Sequence, residues 1–112
     1  MLESVAERAA HICAANVVEI AIVDNEVFRL VASFGEAEWL SSGESVPLDR
    51  STVTGRAICD LQPIHIADLQ NAGDEFPLGR EIAIRHRIRT ILSVPLTREG
   101  RALGAIVVRR TA

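Results

Sequence analysis

The side chains in this chain that could do chemistry are two cysteines, three histidines and a run of arginines. Cys13 and Cys59 lie far apart, without the short spacing of a metal site. In a cytosolic chain such thiols act as small buried hydrophobes more often than as ligands or a disulfide. His11, His65 and His86 have no paired spacing for zinc, so no metal is expected. His65 alone lies in an apolar run, where an axial haem ligand would sit. A histidine on a strand is ordinarily just a hydrogen-bonded side chain. Arg80, Arg85, His86, Arg87 and Arg89 fall within one short stretch. Guanidinium groups pair bidentately with phosphate or carboxylate, but on a mildly acidic chain the pattern reads first as a solvated helix face. There is no Ser-His-Asp order, no carboxylate pair in an apolar setting and no phosphate-cradling glycine loop. These residues form no catalytic constellation.

The elements that must position them are short. Residues 89–110 form two strand-like runs hinged at Glu99-Gly100, where Gly100 supplies the positive φ of a tight hairpin. Pro95 inside the first run cannot donate a ladder hydrogen bond, so a bulge or local unpairing is expected there. Residues 2–15 place Leu2, Val5, Ala9 and Ile12 three and four apart, the stripe of an amphipathic helix, with Asn16 as its C-cap. Residues 17–23 are almost continuously apolar, broken only by Glu19, and suit a strand. Asp24-Asn25-Glu26 is a turn into a second strand over 27–34.

Residues 36–44 read as a loop or short helix carrying Trp39, and 45–48 as a short edge strand. A helix is expected over 52–61 with Ser51 or Asp49 as N-cap. Gly55 in its interior costs about 1 kcal/mol relative to Ala and implies close approach to a neighbouring strand. Gln62-Pro63 ends that helix, 64–67 is a short strand, 68–78 an exposed loop and 79–87 a short helix. The order is an antiparallel α+β arrangement and not a doubly wound one.

Bulk properties fit one domain. At 112 residues the chain can bury a core. No window approaches the ~18 uninterrupted apolar residues of a membrane span. Met1-Leu2-Glu3 runs straight into the helical pattern with no signal peptide, so a cytoplasmic setting is the default. The net charge of −3 argues against nucleic acid as the main partner. All basic residues are arginine, a compositional bias with no mechanism attached.

Three segments together resemble the GAF family of small sensory modules. They are the hairpin from Ala21 to Gly35; Pro47-Leu48-Asp49-Arg50-Ser51-Thr52-Val53-Thr54-Gly55-Arg56-Ala57 running on to Gln62-Pro63-Ile64-His65-Ile66-Ala67-Asp68; and Ile88 to Leu96 with Gly100 and Leu103-Gly104-Ala105-Ile106. The match covers essentially the whole chain as a single domain over 1–112. It implies a GAF-like, PAS-related, six-stranded antiparallel sheet with helices on both faces. Pocket-side helices would cover a small-molecule site, and terminal helices on the other face would link domains. The chain stops before the family's usual C-terminal helix and looks like a fragment of a larger multidomain signalling protein. Its nearest likeness is to the modules of bacterial sensor histidine kinases.

The subtypes separate residue by residue. The Asn-Lys-Phe-Asp-Glu signature of cyclic-nucleotide-binding members is missing, and Asp74-Glu75-Phe76 is neither ordered nor spaced for it. Cys59 precedes Asp60 and Cys13 precedes Ala14, unlike the Cys-His of bilin-binding members. Methionine sulfoxide reduction, the enzymatic member, needs two nearby thiols. Cys13 and Cys59 are expected on opposite sides of the sheet, so no enzyme activity is expected of this domain. No cofactor is expected either.

The expected function is ligand sensing for an output domain of the same full-length chain, with a ligand-free dimerisation module as the alternative. The small residues Ala32, Ser33, Thr54, Gly55, Ala57, Thr90 and Ser93 favour a real cavity. The candidate pocket residues are Phe34, Trp39, Val53, Ala57, His65, Thr90 and Leu92, holding a neutral or weakly anionic metabolite. A one-residue slip in strand register would reverse which of these face inward. Leu2, Val5, Ala9 and Ile12 are the candidate homodimer contact, because burying the stripe is favourable by about 25 cal/mol per Å².

Overall fold

Alternating and continuous β-branched runs become six strands: β1 (Val17–Asp24), β2 (Val27–Gly35), β3 (Ser45–Pro47), β4 (Ile64–Ile66), β5 (Thr90–Arg98) and β6 (Arg101–Arg110). Among the described residues two helices lie between them, α1 (Val53–Asp60) and α2 (Pro77–His86), with a 3₁₀ turn at Leu69–Asn71. The computed structural model describes residues 17–35 and 45–111. The expected N-terminal helix with its stripe, and the loop carrying Trp39, lie outside the described residues.

The sheet is antiparallel with strand order β3-β2-β1-β6-β5-β4. β1 and β6 are therefore its central pair, in register from Val17 opposite Arg109 to Ile22 opposite Gly104. The hairpin linking β5 and β6 is the two-residue turn expected at Glu99-Gly100. Both residues have positive φ, 54° and 78°, the combination that matches the twist of the flanking strands. Pro95 does not unpair the ladder: it sits opposite Ala105, and the register shift falls between Leu96 and Thr97. The irregularity is displaced beyond the residue that lacks the donor.

Strand alternation divides the apolar residues between two faces. On the helix side, Ala21, Phe28, Ile91, Ala105 and Val107 pack with Val53, Ile58, Leu69, Phe76, Ala83 and Ile88. On the opposite side, Val18, Ile20, Ala32 and Val108 form a second cluster with Leu92, Leu96 and Ile106 against it. A sheet apolar on both faces needs cover on both. α1 and α2 cover the first.

The start of α1 differs from expectation. Thr52, not Ser51 or Asp49, is the N-cap, and its Oγ1 accepts from the Gly55 amide at 3.0 Å. Asp49 instead accepts from the Ser51 amide at 2.8 Å, folding the preceding turn back over the helix. Its carboxyl is held below the usual carboxylate range by these hydrogen bonds from Ser51. Gly55 is needed because of that turn and not because of a neighbouring strand: a Cβ there would lie 2.1 Å from the Asp49 carbonyl oxygen. Likewise a Cβ on Gly104 would lie 1.9 Å from the carbonyl oxygen of Ala21 on β1. Both contacts are with backbone, which cannot swing aside. Gly104→Ala is expected to cost about 1–3 kcal/mol, the usual range for overpacking. Arg101→Ala, exposed on the same strand, should stay within about 0.5 kcal/mol. Urea denaturation of the two variants checks this, and equal midpoints would contradict the close-approach reading.

Candidate functional site: a cavity with a buried ion pair

A cavity of about 30 Å³ opens between the sheet and the two helices. Phe28 on β2, Val46 on β3 and Ile91 on β5 line its sheet wall. Thr52, Val53 and Thr54 from the first turn of α1, and Gly79 and Ile82 from α2, line its helix side. Leu69 and Ile88 close the end between them, and Arg109 of β6 reaches into it. A second, smaller pocket of about 10 Å³ adjoins it, lined by Glu19, Ala21, Leu30 and Val107. Phe28, Thr54 and Arg109 line both pockets.

The walls are pinned by specific contacts. Thr54 Oγ1 and Ser93 Oγ lie 2.9 Å apart, a buried hydrogen bond that fixes α1 over β5. Arg56 donates to Glu75 Oε1 at 2.8 Å and to the Glu75 carbonyl oxygen at 3.0 Å. Its guanidinium also stacks 4.2 Å from the centre of the fully buried Phe76 ring, a cation–π contact. These interactions hold α1 to the segment that leads into α2. Gln70 Nε2 donates to the Ile88 carbonyl oxygen at 3.0 Å, tying the 3₁₀ turn to the segment entering β5.

The chemical centre of the site is the ion pair of Glu19 and Arg109, 1% and 6% exposed. Val17 stands opposite Arg109, and Glu19 opposite Val107. The pair therefore bridges the two central strands on the face covered by the helices. Burial pushes the Arg109 guanidinium down to about 9, which leaves it cationic at neutral pH. Glu19 Oε2 has no hydrogen-bond partner among the described residues. Sequence reasoning passed over both residues. The signal was present in Glu19, the single charge in an otherwise apolar run. Arg109 gave none, sitting as the first of two terminal arginines.

The expected pocket residues are only partly brought together. Val53 lines the cavity. Ala57 is fully buried on the same helix, yet is not among the lining residues. The register corrects the placement of the β5 pair: Ile91 and Ser93 face the helices, so Leu92 packs on the opposite cluster. Thr90 donates to the Ala67 carbonyl oxygen at 2.9 Å at the start of β5, away from the lining residues. His65 is exposed, because Ile64 and Ile66 beside it turn toward the core. Phe34 pairs with Val18 in the ladder, and its side chain, like Trp39, lies outside the described residues. Of the small residues, Thr54 and Ser93 meet inside, Ala32 is on the opposite face and Ser33 is exposed.

The arginine cluster is surface charge. Arg85 pairs with Glu81 at 2.9 Å and Arg89 with Asp68 at 3.2 Å, while Arg80 donates to the Gln70 carbonyl oxygen at 3.0 Å. None of these arginines lines the cavity. Among the described residues no group of histidine, cysteine and carboxylate side chains could hold a metal ion. Nor is any helix among the described residues long and apolar enough to cross a membrane.

A six-stranded antiparallel sheet with helices over a central cavity defines a small α+β module. Residues 1–112 match the GAF domain family, and the chain belongs to that family. No curated protein matches the sequence. Among solved structures, the GAF domain region of a protein from Geobacter sulfurreducens PCA superposes with a TM-score of 0.79 at 19% identity, over 99% of this chain and 74% of that one. The GAF domain of a two-component sensor histidine kinase from Bacillus halodurans gives 0.78 at 15%, over 100% of this chain and 78% of that one. Free methionine-R-sulfoxide reductase from Neisseria meningitidis, solved with its substrate, gives 0.78 at 20%, over 98% of this chain and 60% of that one. At such identities the likeness is one of fold.

Breaking the ion pair should be more harmful than removing it. Glu19→Gln leaves the buried guanidinium without its counter-charge and is expected to cost about 3–5 kcal/mol. The double substitution Glu19→Met, Arg109→Met should recover most of that loss, since an apolar pair of similar volume is often neutral or stabilising. Urea midpoints of the two variants measure the difference. A double variant no more stable than the single one would show that the pair is not coupled.

Proposed function

We propose that this chain is the sensory module of a bacterial signal-transduction protein, best read as a cytoplasmic sensor histidine kinase. In this reading residues 1–112 are one domain of a longer chain whose output lies elsewhere. A small ligand enters the cavity under α1, and its occupancy is passed on through the terminal segments and a homodimer. The observation that supports this most directly is the cavity itself, a mostly apolar space with a few built-in polar groups, which is the make-up of a small-molecule site. The topology adds a route. β1 and β6 are the strands nearest the two ends of the chain, they are neighbours, and both contribute to the polar wall. The kinship in fold with a sensor-kinase GAF domain accords with the reading. Native mass spectrometry of freshly purified protein tests it. A co-purifying small molecule is the expected result, and a protein that carries nothing and binds nothing would favour the dimerisation-only alternative.

A second reading follows from the fold shared with the Neisseria reductase: reduction of free methionine sulfoxide by a thiol pair. Cys59 is exposed at the end of α1, while Cys13 lies outside the described residues. The chemistry requires a nucleophilic thiolate and a resolving thiol close by. Incubation with free methionine sulfoxide is expected to cause no substrate-dependent thiol oxidation. Robust turnover, lost in Cys59→Ser, would overturn the binding-module reading.

The dimer is proposed to form through the stripe Leu2, Val5, Ala9 and Ile12, in the residues outside the description. A Val5→Glu, Ile12→Glu double variant is expected to convert a dimer to a monomer by light scattering at tens of micromolar. A wild type that is already monomeric, or a variant that stays dimeric, would exclude this stripe as the contact.

A further inference from the structure

We propose that the two adjoining pockets, which share the walls of Phe28, Thr54 and Arg109, together select a small uncharged ligand with a hydrogen-bond-donating head, a primary amide or alcohol on a short hydrocarbon body, the donor resting on Glu19 Oε2. The proposal rests on the reading of the domain as a ligand sensor and names the class of ligand. Three observations carry it. Glu19 is almost completely withdrawn from water, lines the smaller pocket and has one carboxylate oxygen without a hydrogen-bond partner among the described residues. A buried acceptor left unsatisfied is costly, so a ligand that brings a donor to it gains where a pure hydrocarbon does not.

The charge balance of the site then decides the head group. Glu19 and Arg109 already neutralise one another within the cavity wall. A carboxylate or an ammonium entering beside them would leave one net charge in a space that is otherwise apolar, and such a charge is strongly disfavoured. An amide or hydroxyl supplies the donor without that penalty. Thr54, which lines both pockets and shares a hydrogen bond with Ser93, adds a hydroxyl to the same wall.

Size and shape set the body. The larger pocket, at about 30 Å³, has room for roughly two water molecules on the scale of about 10–15 Å³ per water centre. A ligand of only a few heavy atoms is therefore favoured. Val46, Val53, Leu69, Ile82, Ile88 and Ile91 offer it an aliphatic surface.

A matched series on the full chain tests the inference: propionamide, propionate and propylammonium, which share a carbon skeleton and differ in charge. They are titrated at millimolar concentrations while backbone amide shifts are followed by ¹H–¹⁵N NMR, with xenon as an apolar probe of the same space. The expected result is saturable binding of propionamide, with shifts centred on Glu19, Thr54 and Val107, and at least tenfold weaker binding of both ions. An ion that binds as tightly as the amide would overturn the ligand class. Xenon entering where propionamide does not would also overturn it, yet leave the sensing cavity intact. Neither entering would remove the sensing reading as well. The double variant Glu19→Met, Arg109→Met, which removes the acceptor, should bind propionamide at least tenfold more weakly, and unchanged affinity would exclude Glu19 as the acceptor. The comparison of the three probes on the wild type decides the ligand class whatever the stability of that variant.

Discussion

A carboxylate and a guanidinium held out of water between the two central strands set the terms for the rest of this domain. Each ion loses several kcal/mol of hydration on burial, and only close mutual contact offsets the loss. Their relative position is fixed by the β1–β6 ladder, because Glu19 and Arg109 occupy neighbouring ladder positions on the same face. Anything that shifts β6 against β1 by one residue would turn one charge toward the opposite cluster and strand the other. The close approach of Gly104 to the Ala21 backbone lies in the same ladder. The central pair thus carries both a close backbone approach and a buried ion pair.

Around that centre the cavity is built from parts with little regular structure of their own. α1 is eight residues long and α2 ten, too short to be stable alone in water. They are held by burial and by a few directed contacts: the Thr54–Ser93 hydrogen bond, the Arg56 clamp on Glu75 and Phe76, and the Gln70 bridge. Leu61 and Arg87 end the two helices in the left-handed region, a conformation that costs a non-glycine residue roughly 1–2 kcal/mol. Tertiary packing overrides that local cost. Segments held in this way are the ones able to adjust when a cavity fills.

The fold itself leaves the chemistry open. A sensor-kinase module and a free methionine sulfoxide reductase share it with this chain at comparable TM-scores, as expected where function resides in the side chains a scaffold presents. Here the presented side chains are an internally neutral ion pair, two hydroxyls and an aliphatic wall. That set supplies no paired nucleophile and base among the described residues.

Much of the architecture was legible in the sequence because it depends on local rules. The Glu99-Gly100 turn, the β-branched runs on either side of it, and the proline that ends α1 each act through their own backbone preferences. The order of elements, and with it the α+β sheet, followed from them. The inward face of each strand did not, because adjacent residues point to opposite sides and a half-apolar, half-small run such as Thr90-Ile91-Leu92-Ser93 reads equally well either way. Pairing with β6 chose Ile91 and Ser93 for the helix side and sent Leu92 to the other. Glu19 stood out as the lone charge in the apolar run over residues 17–23. Its meaning came only when the antiparallel partner brought Arg109, 90 residues away in the chain, to the neighbouring ladder position. An ion pair between distant strands has no local signature, since its stability comes from the shared burial that the tertiary structure creates.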